Sequence, residues 1–410
     1  MHLKVATTLA RRLLLAGAAT QVLAVAGLLL VDHLRKKERP QGEFPRVPVR
    51  SLPVAEGEVA IYTYGEDLFA DMLAAIRRAE HRILFETYIW KDDPVGREFK
   101  QALVDATARG VEVYVSFDEF ANLVVSRDFL RFPAPIHVKR HALVGGGWKF
   151  LHPRYAGRNH RKLLVVDHDV AFVGGYNIGS TYATDWRDTH ARLSGDMVVE
   201  LTNAFVDYWN LGRHKSEAAL PEPRHRTWSG LIRVHRNTPV HLVFPIRNMY
   251  LEAIDRAEDH IYLTQAYLIP DKAFTRALVQ AAARGVDVRI IVPHYSNHIV
   301  ADWLSRGHYT ELLRGGVRLL RYQQAMVHAK TGTIDRRWST IGTANLDRLS
   351  LAGNYEINVE ILDTDVAAHM EEIFRVDSTN CIELTRDQWA SRTLVSRITE
   401  GVLAPLRPLL

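Results

Sequence analysis

One short pattern of residue types occurs twice in the chain: histidine, any residue, lysine, four residues, aspartate. The copies consist of His160, Lys162 and Asp167, and of His328, Lys330 and Asp335. Within each copy the histidine and lysine are two residues apart, so on an extended strand they project to the same side. A lysine can bind the non-bridging oxygens of a phosphate, and a histidine can attack phosphorus or transfer a proton. The pattern therefore predicts chemistry at a phosphate group.

The duplication matters because cleavage of a phosphodiester through a covalent intermediate requires two functional groups. One group must be neutral in order to attack, and the other must be protonated in order to donate to the leaving alkoxide. Ordinary histidine has a pKa of about 6.5, so both forms are accessible near neutral pH. His160 and His328 can divide these roles if the two copies face one phosphate. We therefore predict one shared site.

The repeat extends downstream of the pattern in a constant register of 168 residues. That register relates Asn177 to Asn345 and Asp188 to Glu356. The asparagines follow glycine-containing turns, where an amide can hold a phosphate oxygen. The two carboxylates can each hydrogen-bond a catalytic imidazole and set its tautomer, although exposed surface positions are the alternative.

The aspartates that close the two patterns differ from the histidines and lysines in their direction on the strand. Asp167 and Asp335 each follow the lysine by five residues, so on a strand they point away from it. The sequence leaves two interpretations open for them, a catalytic carboxylate or a carboxylate that stabilises a turn.

A second repeat indicates the architecture. Ala108–Val113 recurs as Ala283–Val288, and each copy is typical of a helix end, a glycine stop and the start of a strand. Helices that alternate with short apolar strands indicate an α/β fold. We predict two duplicated halves, residues 41–211 and 239–410, joined by a linker at 212–238 that is rich in proline and charge.

The N-terminal segment, residues 1–40, contains 19 uncharged residues from Leu13 to Val31 with basic residues on both sides. As a helix this run would be roughly 28 Å long, close to the hydrocarbon thickness of a bilayer. A cleaved signal peptide and a buried helix are alternatives. The apolar run continues past the small residues Ala24 to Ala26, so we predict a retained membrane anchor. The apolar and basic C-terminal stretch, Leu394–Leu410, is compatible with either a membrane surface or an ordinary docking tail.

Composition narrows the remaining chemistry. The chain has 410 residues, a formal net charge of +5 and a single cysteine, Cys381. One cysteine excludes an intramolecular disulfide and a cysteine-rich zinc site. The chain has no His-Glu-x-x-His pattern, and we expect neither a metal nor another cofactor. The positive charge is compatible with an ordinary basic surface, with anionic lipid or with nucleic acid.

The duplicated pattern, followed by a Gly-x-x-Asn turn, resembles the phospholipase D superfamily over about Val59–Asp363. Within that superfamily the chain is most similar to bacterial cardiolipin synthases. The stretches that carry this similarity are Tyr88–Asp93, Gly174–Gly179, Trp186–His190, Ala344–Arg348 and Asn354–Asn358. Thr343 departs from the usual pattern, because serine is common at that position.

The resemblance implies two α/β/α halves packed as a pseudo-dimer with the site between them. It implies that His160 forms a phosphohistidine and that His328 protonates the leaving group, although the two roles could be exchanged. Family members of this type join two phosphatidylglycerol molecules and release glycerol. The expected partners are then an anionic phospholipid and the inner (cytoplasmic) membrane, without nucleic acid.

Three other functions remain as alternatives. A phospholipid hydrolase would use the same groups with water as the acceptor. A metal-independent nuclease would require a basic groove with stacking aromatic residues, and the apolar N-terminus argues against it. A lipid-binding protein without activity would be expected to have lost one half-site, whereas both are complete here.

Overall fold

The computed structural model describes residues 20–31, 33–34, 42–142, 157–211, 213, 219–221 and 230–409. Residues 20–31 are helical and form α1, whereas residues 13–19 of the predicted anchor lie outside the described residues. Within the ranges given above, no helix combines the length and the apolar content that crossing a membrane requires.

The first half is built on a mixed sheet of eight strands. In spatial order the strands are β1 (Ser51–Val54), β2 (Gly57–Tyr62), β9 (His190–Ser194), β7 (Val170–Gly174), β6 (Leu163–Val166), β3 (Arg82–Thr87), β4 (Glu112–Asp118) and β5 (Ile136–His141). The strands β3, β4 and β5 run parallel, and all other neighbours are antiparallel.

The second half contains another eight-stranded sheet. Its order is β10 (Ile232–Asn237), β17 (Glu356–Ile361), β16 (Trp338–Gly342), β15 (Lys330–Ile334), β11 (His260–Gln265), β12 (Asp287–Pro293), β13 (Arg318–Tyr322) and β18 (Cys381–Leu384). From β10 to β13 this order repeats the order from β2 to β5. The structure therefore confirms the predicted duplication and the α/β class.

Helices cover the sheets and complete the two halves. The first half has α2 (Gly65–Arg78), α3 (Pro94–Ala108), α4 (Ser180–Thr184) and α5 (Met197–Asn210). The second half has α6 (Pro245–Arg256), α7 (Lys272–Ala283), α8 (Ile299–Arg314), α9 (Arg348–Ala352), α10 (Thr364–Thr379), α11 (Arg386–Ala390) and α12 (Leu394–Leu403).

Matching signals delimit α3 and α7, the helices of the second sequence repeat. The carboxylate of Asp93 accepts the N–H of Gly96 at the start of α3, and Asp271 caps α7 in the same way. Just after the helices, Gly110 and Gly285 adopt φ of +90° and +97°, a conformation that favours glycine. The predicted order of helix end, glycine and strand is confirmed in both copies.

The two halves pack into one body. A single apolar core contains residues of both sheets, including Leu163 from β6 and Ile341 from β16. Two short strands, β8 (Trp186–Arg187) and β14 (Met326–Val327), pair in parallel across the boundary. Arg187 is fully buried and donates two hydrogen bonds, of 2.9 and 2.6 Å, to the carboxylate of Asp377 in the other half. These contacts fix the relative position of the halves.

The second half begins earlier than the sequence analysis predicts. Ile232–Asn237 falls inside the predicted linker, yet it forms β10 and pairs with β17 over six residues. Backbone pairing to an existing sheet edge recruits this segment in spite of its polar composition. Residues 222–229 of the linker lie outside the described residues.

Candidate active site

The two histidines of the repeated pattern lie at corresponding places in the two sheets and meet at one cavity. His160 precedes β6, and His328 precedes β15. The backbone N–H of His160 donates to the carbonyl of Tyr355 at 3.0 Å, and that of His328 donates to the carbonyl of Arg187 at 2.7 Å. Each bond crosses between the halves, and the two acceptors obey the 168-residue register. The backbone at the site thus has pseudo-two-fold symmetry.

The shared cavity has a volume of about 450 Å³. His160, His328, Asn177 and Asn345 all line it, together with mainly apolar and aromatic side chains. A larger cavity, of about 630 Å³, lies beside α8 and α11 and contains no residue of the repeated pattern. The smaller cavity is therefore the candidate active site, because it is the one that unites the two copies.

Each histidine is held by a carboxylate from the opposite half. Both carboxylate oxygens of Glu356 lie 3.0 Å from Nδ1 of His160. Oδ2 of Asp188 lies 2.6 Å from Nδ1 of His328. Since Nδ1 of each ring is bound to a carboxylate, Nε2 is the nitrogen available for chemistry in the cavity. The predicted orienting role of these carboxylates agrees with this geometry. The pairing is crossed, in that the carboxylate of each half contacts the histidine of the other half.

Different residues hold the two carboxylates in place. The hydroxyl of Thr343 donates to Glu356 at 2.5 Å, so the residue that departs from the family pattern supplies a hydrogen bond to the site. In the first half the equivalent position is Gly175. A Cβ there would lie only 2.0 Å from Oδ1 of Asp188, which explains the glycine. Asp188 instead accepts the N–H of Thr189 at 2.7 Å.

The two lysines of the pattern are buried beside the histidines. Lys162 and Lys330 are 2% and 0% exposed. Nζ of Lys162 donates to the carbonyl of His160 at 2.7 Å, and Nζ of Lys330 donates to the carbonyl of His328. Burial lowers the pKa of Lys162 to about 7 and that of Lys330 to about 8, because water no longer solvates the ammonium groups. An anionic phosphate in the cavity would favour their charged forms.

The surroundings of both histidines favour the neutral imidazole. Burial lowers the pKa of His160, in opposition to the charge of Glu356. Burial, followed by the charge of Lys330, lowers the pKa of His328 to about 3. Both shifts favour the neutral form. A neutral histidine suits attack, whereas the proton-donating role requires that a bound anion or the substrate's own chemistry raise one of the two pKa values.

The asparagines of the repeat also face the cavity. Oδ1 of Asn177 accepts the backbone N–H of Ile89 at 3.1 Å, which leaves the NH₂ group of this amide for a ligand. Oδ1 of Asn345 is buried and has no hydrogen-bond partner among the described residues. In both residues the amide NH₂ is the group that could donate to a phosphate oxygen, because Oδ1 only accepts hydrogen bonds.

The structure does not bring Asp167 and Asp335 into the cavity. Each carboxylate accepts three backbone N–H groups that lead into the neighbouring central strand, at 2.7–2.8 Å from residues 80–82 and at 2.8–3.0 Å from residues 258–260. Both aspartates have positive φ, +52° and +51°. Of the two interpretations that the sequence leaves open, this geometry favours the turn carboxylate over the catalytic one.

Replacement of Asp167 by alanine should therefore affect folding more than chemistry. The three N–H groups would lose their shared acceptor, and we expect the free energy of unfolding to fall by about 1–3 kcal/mol. The rate per folded molecule should stay within about threefold of the native rate. Denaturant unfolding measured beside kcat tests this. A hundredfold fall in kcat at unchanged stability would restore the catalytic interpretation.

The lysines predict how activity depends on pH. Each must be protonated to neutralise a phosphate, so affinity for an anionic substrate is lost as pH rises through its lowered pKa. We expect kcat/KM, which reports the free enzyme, to fall above pH 7–8, where the pKa values of about 7 and 8 lie. Micelles in which a non-ionic detergent dilutes the anionic lipid reduce the surface-potential effect of anionic vesicles. A kcat/KM that stays constant up to pH 9 would contradict this role.

Several cavity residues escape the sequence analysis. Tyr267, Asn297 and His298 line the wall, and the hydroxyl of Tyr267 donates to Oδ1 of Asn297 at 2.6 Å. They follow the carboxyl ends of the parallel strands β11 and β12, where ligands commonly bind in open α/β sheets. That position is the only sequence signal that could have identified them.

Comparison with known proteins agrees with this architecture. The solved structure of phosphatidylserine synthase from Haemophilus influenzae Rd KW20 has a TM-score of 0.63 to this chain, at 14% identity, over 88% of this chain and 94% of that one. At this identity the likeness concerns the fold. A family model of the phospholipase D-like class matches both α/β halves of the chain.

Sequence relatives are more specific. Residues 72–209 and 250–378 match the family described as cardiolipin synthase, PLD-like domain. A cardiolipin synthase of Clostridium perfringens (strain SM101 / Type A) is 30% identical over 86% of this chain and 77% of its own. One from Staphylococcus aureus (strain Mu50 / ATCC 700699) is 31% identical over 87% and 74%. The chain belongs to the cardiolipin synthase family and is a phosphatidyltransferase enzyme of the phospholipase D superfamily.

Proposed function

We propose that the protein transfers a phosphatidyl group from one phosphatidylglycerol molecule to another, forming cardiolipin and releasing glycerol. The observation that carries the proposal is the pair of histidines at one cavity, each bound through Nδ1 to a carboxylate of the opposite half. This arrangement supplies two oriented imidazoles to a single phosphate. The names of the relatives support the product.

In the proposed first step, Nε2 of His160 attacks phosphorus of the donor lipid. The bond between phosphorus and the glycerol oxygen breaks, and His328 in its protonated form donates its proton to that oxygen. Lys162 and Lys330 offset the charge of the phosphate oxygens, and Asn177 and Asn345 hydrogen-bond them.

In the second step the hydroxyl of another phosphatidylglycerol replaces the released glycerol. His328, now neutral, takes the proton of this hydroxyl while the oxygen attacks the phosphohistidine. The bond between phosphorus and His160 breaks, and the enzyme returns to its starting state. The same scheme with water as acceptor is the alternative function, a phospholipase D-type hydrolase that yields phosphatidic acid.

Lipid contact is supported by exposed apolar residues of α12, a helix that packs against α8. α1 and α12 both pack against α8, and Val300 and Ala301 of α8 line the cavity. Leu394 and Val395 at the start of α12 are 71% and 72% exposed, which favours contact with a membrane surface over an aqueous one. A membrane location for the protein rests on this surface and on the sequence of the N-terminus.

Product analysis distinguishes the functions. The purified full chain is incubated with phosphatidylglycerol in mixed micelles, and lipids are identified by mass spectrometry. We expect cardiolipin and an equal amount of glycerol. Phosphatidic acid as the only lipid product would refute the transferase proposal in favour of the hydrolase.

A further inference from the structure

Asp347 is a carboxylate of the cavity for which the first half has no counterpart. In the 168-residue register its equivalent is Gly179, which has no side chain. Asp347 lines the cavity together with both histidines and is only 7% exposed. The groups that act on phosphate are duplicated, whereas this one is not. A single copy suits a role towards one particular substrate group.

The need to cap helix α9 explains in part, but not fully, why an aspartate stands at position 347. Oδ1 of Asp347 accepts the N–H of Ser350 at 2.7 Å and so caps the helix. In the first half, α4 begins at the equivalent place without such a residue, because Asp93 accepts the N–H of Ser180 from outside the helix at 2.7 Å. The fold can thus cap this turn without placing a carboxylate at the cavity. The N–H cap uses Oδ1, and the side chain of Ser350 also hydrogen-bonds the carboxyl group.

The electrostatic surroundings place Asp347 close to the reacting groups. Burial raises its pKa to about 7, Glu356 acts in the same direction, and Lys330 acts in the opposite one. Near neutral pH this carboxyl group exists in both forms. It can therefore accept a hydrogen bond from a hydroxyl and, when protonated, donate one.

The other polar groups of this wall suit a neutral, hydroxylated ligand. Asn297, His298 and Asn354 line the cavity among apolar side chains, and none of them carries a fixed charge. A phosphate has the two lysines as partners, whereas a carboxylate disfavours a second anion nearby. A polyol acceptor keeps at least one hydroxyl beside the one that attacks, and this hydroxyl can hydrogen-bond the carboxylate, a contact that ethanol or water cannot make.

We propose that Asp347 binds the hydroxyl groups of the acceptor alcohol and thereby selects a polyol over a simple alcohol or water. The inference rests on the proposed phosphatidyl transfer and names the group that would recognise its acceptor.

The test measures acceptor preference as a ratio. Phosphatidylglycerol in mixed micelles is supplied with deuterated glycerol or with ethanol, and the labelled phosphatidylglycerol and phosphatidylethanol formed are quantified by mass spectrometry. In Asp347→Ser, which keeps a residue type that caps helices, we expect the glycerol rate to fall about tenfold more than the ethanol rate. Asp347→Asn keeps both the cap and the length, and should shift the ratio in the same direction by a smaller factor.

Asp363→Ser is the matched control, because Asp363 caps α10 through the N–H groups of Asp365 and Val366 and does not line the cavity. Its ratio should equal the native one. An unchanged ratio in both Asp347 variants would overturn the inference. Ethanolamine is supplied as a third acceptor. If the Asp347 variants changed the rate with ethanolamine relative to ethanol but not the rate with glycerol relative to ethanol, the inference would also be overturned, because the carboxylate would then recognise an ammonium group. A native protein that prefers ethanol to glycerol would overturn the inference as well, whereas a native protein that forms no cardiolipin from phosphatidylglycerol would refute the proposed function itself.

Discussion

His160→Ala and His328→Ala are each expected to lower kcat for phosphatidyl transfer by at least about 10³-fold, because the nucleophile and the proton donor act as a unit. For the same reason the double variant should be hardly slower than either single one. Initial rates of cardiolipin formation by the three variants provide the measurement.

The control for the histidine variants is His81→Ala, because His81 is exposed and its described hydrogen bonds are all made by its backbone, not by its side chain. It should retain the native rate. If either single variant of His160 or His328 kept a tenth or more of the native kcat, a shared two-histidine site would be contradicted.

The second large effect concerns the crossed carboxylates. Glu356→Gln and Asp188→Asn keep the size of each side chain but remove the charge that orients an imidazole and stabilises its protonated form. We expect each to lower kcat by about 10²–10⁴-fold. Glu360→Gln, a change on the same strand as Glu356, is the matched control and should remain near the native rate.

Because each carboxylate contacts a different histidine, we can also predict which step of the reaction each carboxylate supports. Glu356 contacts His160, the proposed nucleophile, and Asp188 contacts His328, the proposed acid. A phosphatidyl ester of p-nitrophenol needs no protonation of its leaving group. With this substrate the release of p-nitrophenol by Asp188→Asn should recover substantially, whereas Glu356→Gln should stay slow.

If Glu356→Gln recovered and Asp188→Asn stayed slow, His328 would be the nucleophile and His160 the acid. Equal recovery, or none in either variant, would contradict a division of labour between them. The absorbance of p-nitrophenol, followed in a stopped-flow instrument, reports the first step separately from the second.

The fold was largely accessible from the sequence because the chain repeats itself. The alternation of helix, glycine and strand at Gly110 and Gly285 depends on local backbone preferences, and local preferences can be recognised without a structure. β10 was not accessible in this way, because its residues enter the sheet by pairing with β17, a contact between segments more than a hundred residues apart.

The site was accessible as a set of residue types but not as an arrangement. Equal spacing relates Asp188 to Glu356, yet spacing cannot reveal that each carboxylate contacts the histidine of the other half. That contact depends on how the sheets pack and on the buried pair of Arg187 and Asp377. The cavity residues Tyr267, Asn297 and His298 could not be predicted for a related reason. They belong to one half only, so the sequence repeat does not identify them.

The most direct test of a shared site with divided roles is the intact mass of the enzyme. The enzyme is mixed with phosphatidylglycerol, and the reaction is then quenched rapidly without acid. In His328→Ala the donor can attach slowly but cannot be released efficiently, so one phosphatidyl group per chain should accumulate, and peptide mapping should locate it on His160. His160→Ala should show no adduct. Adducts on both histidines, or transfer at the native rate by a variant that lacks His160, would contradict the account.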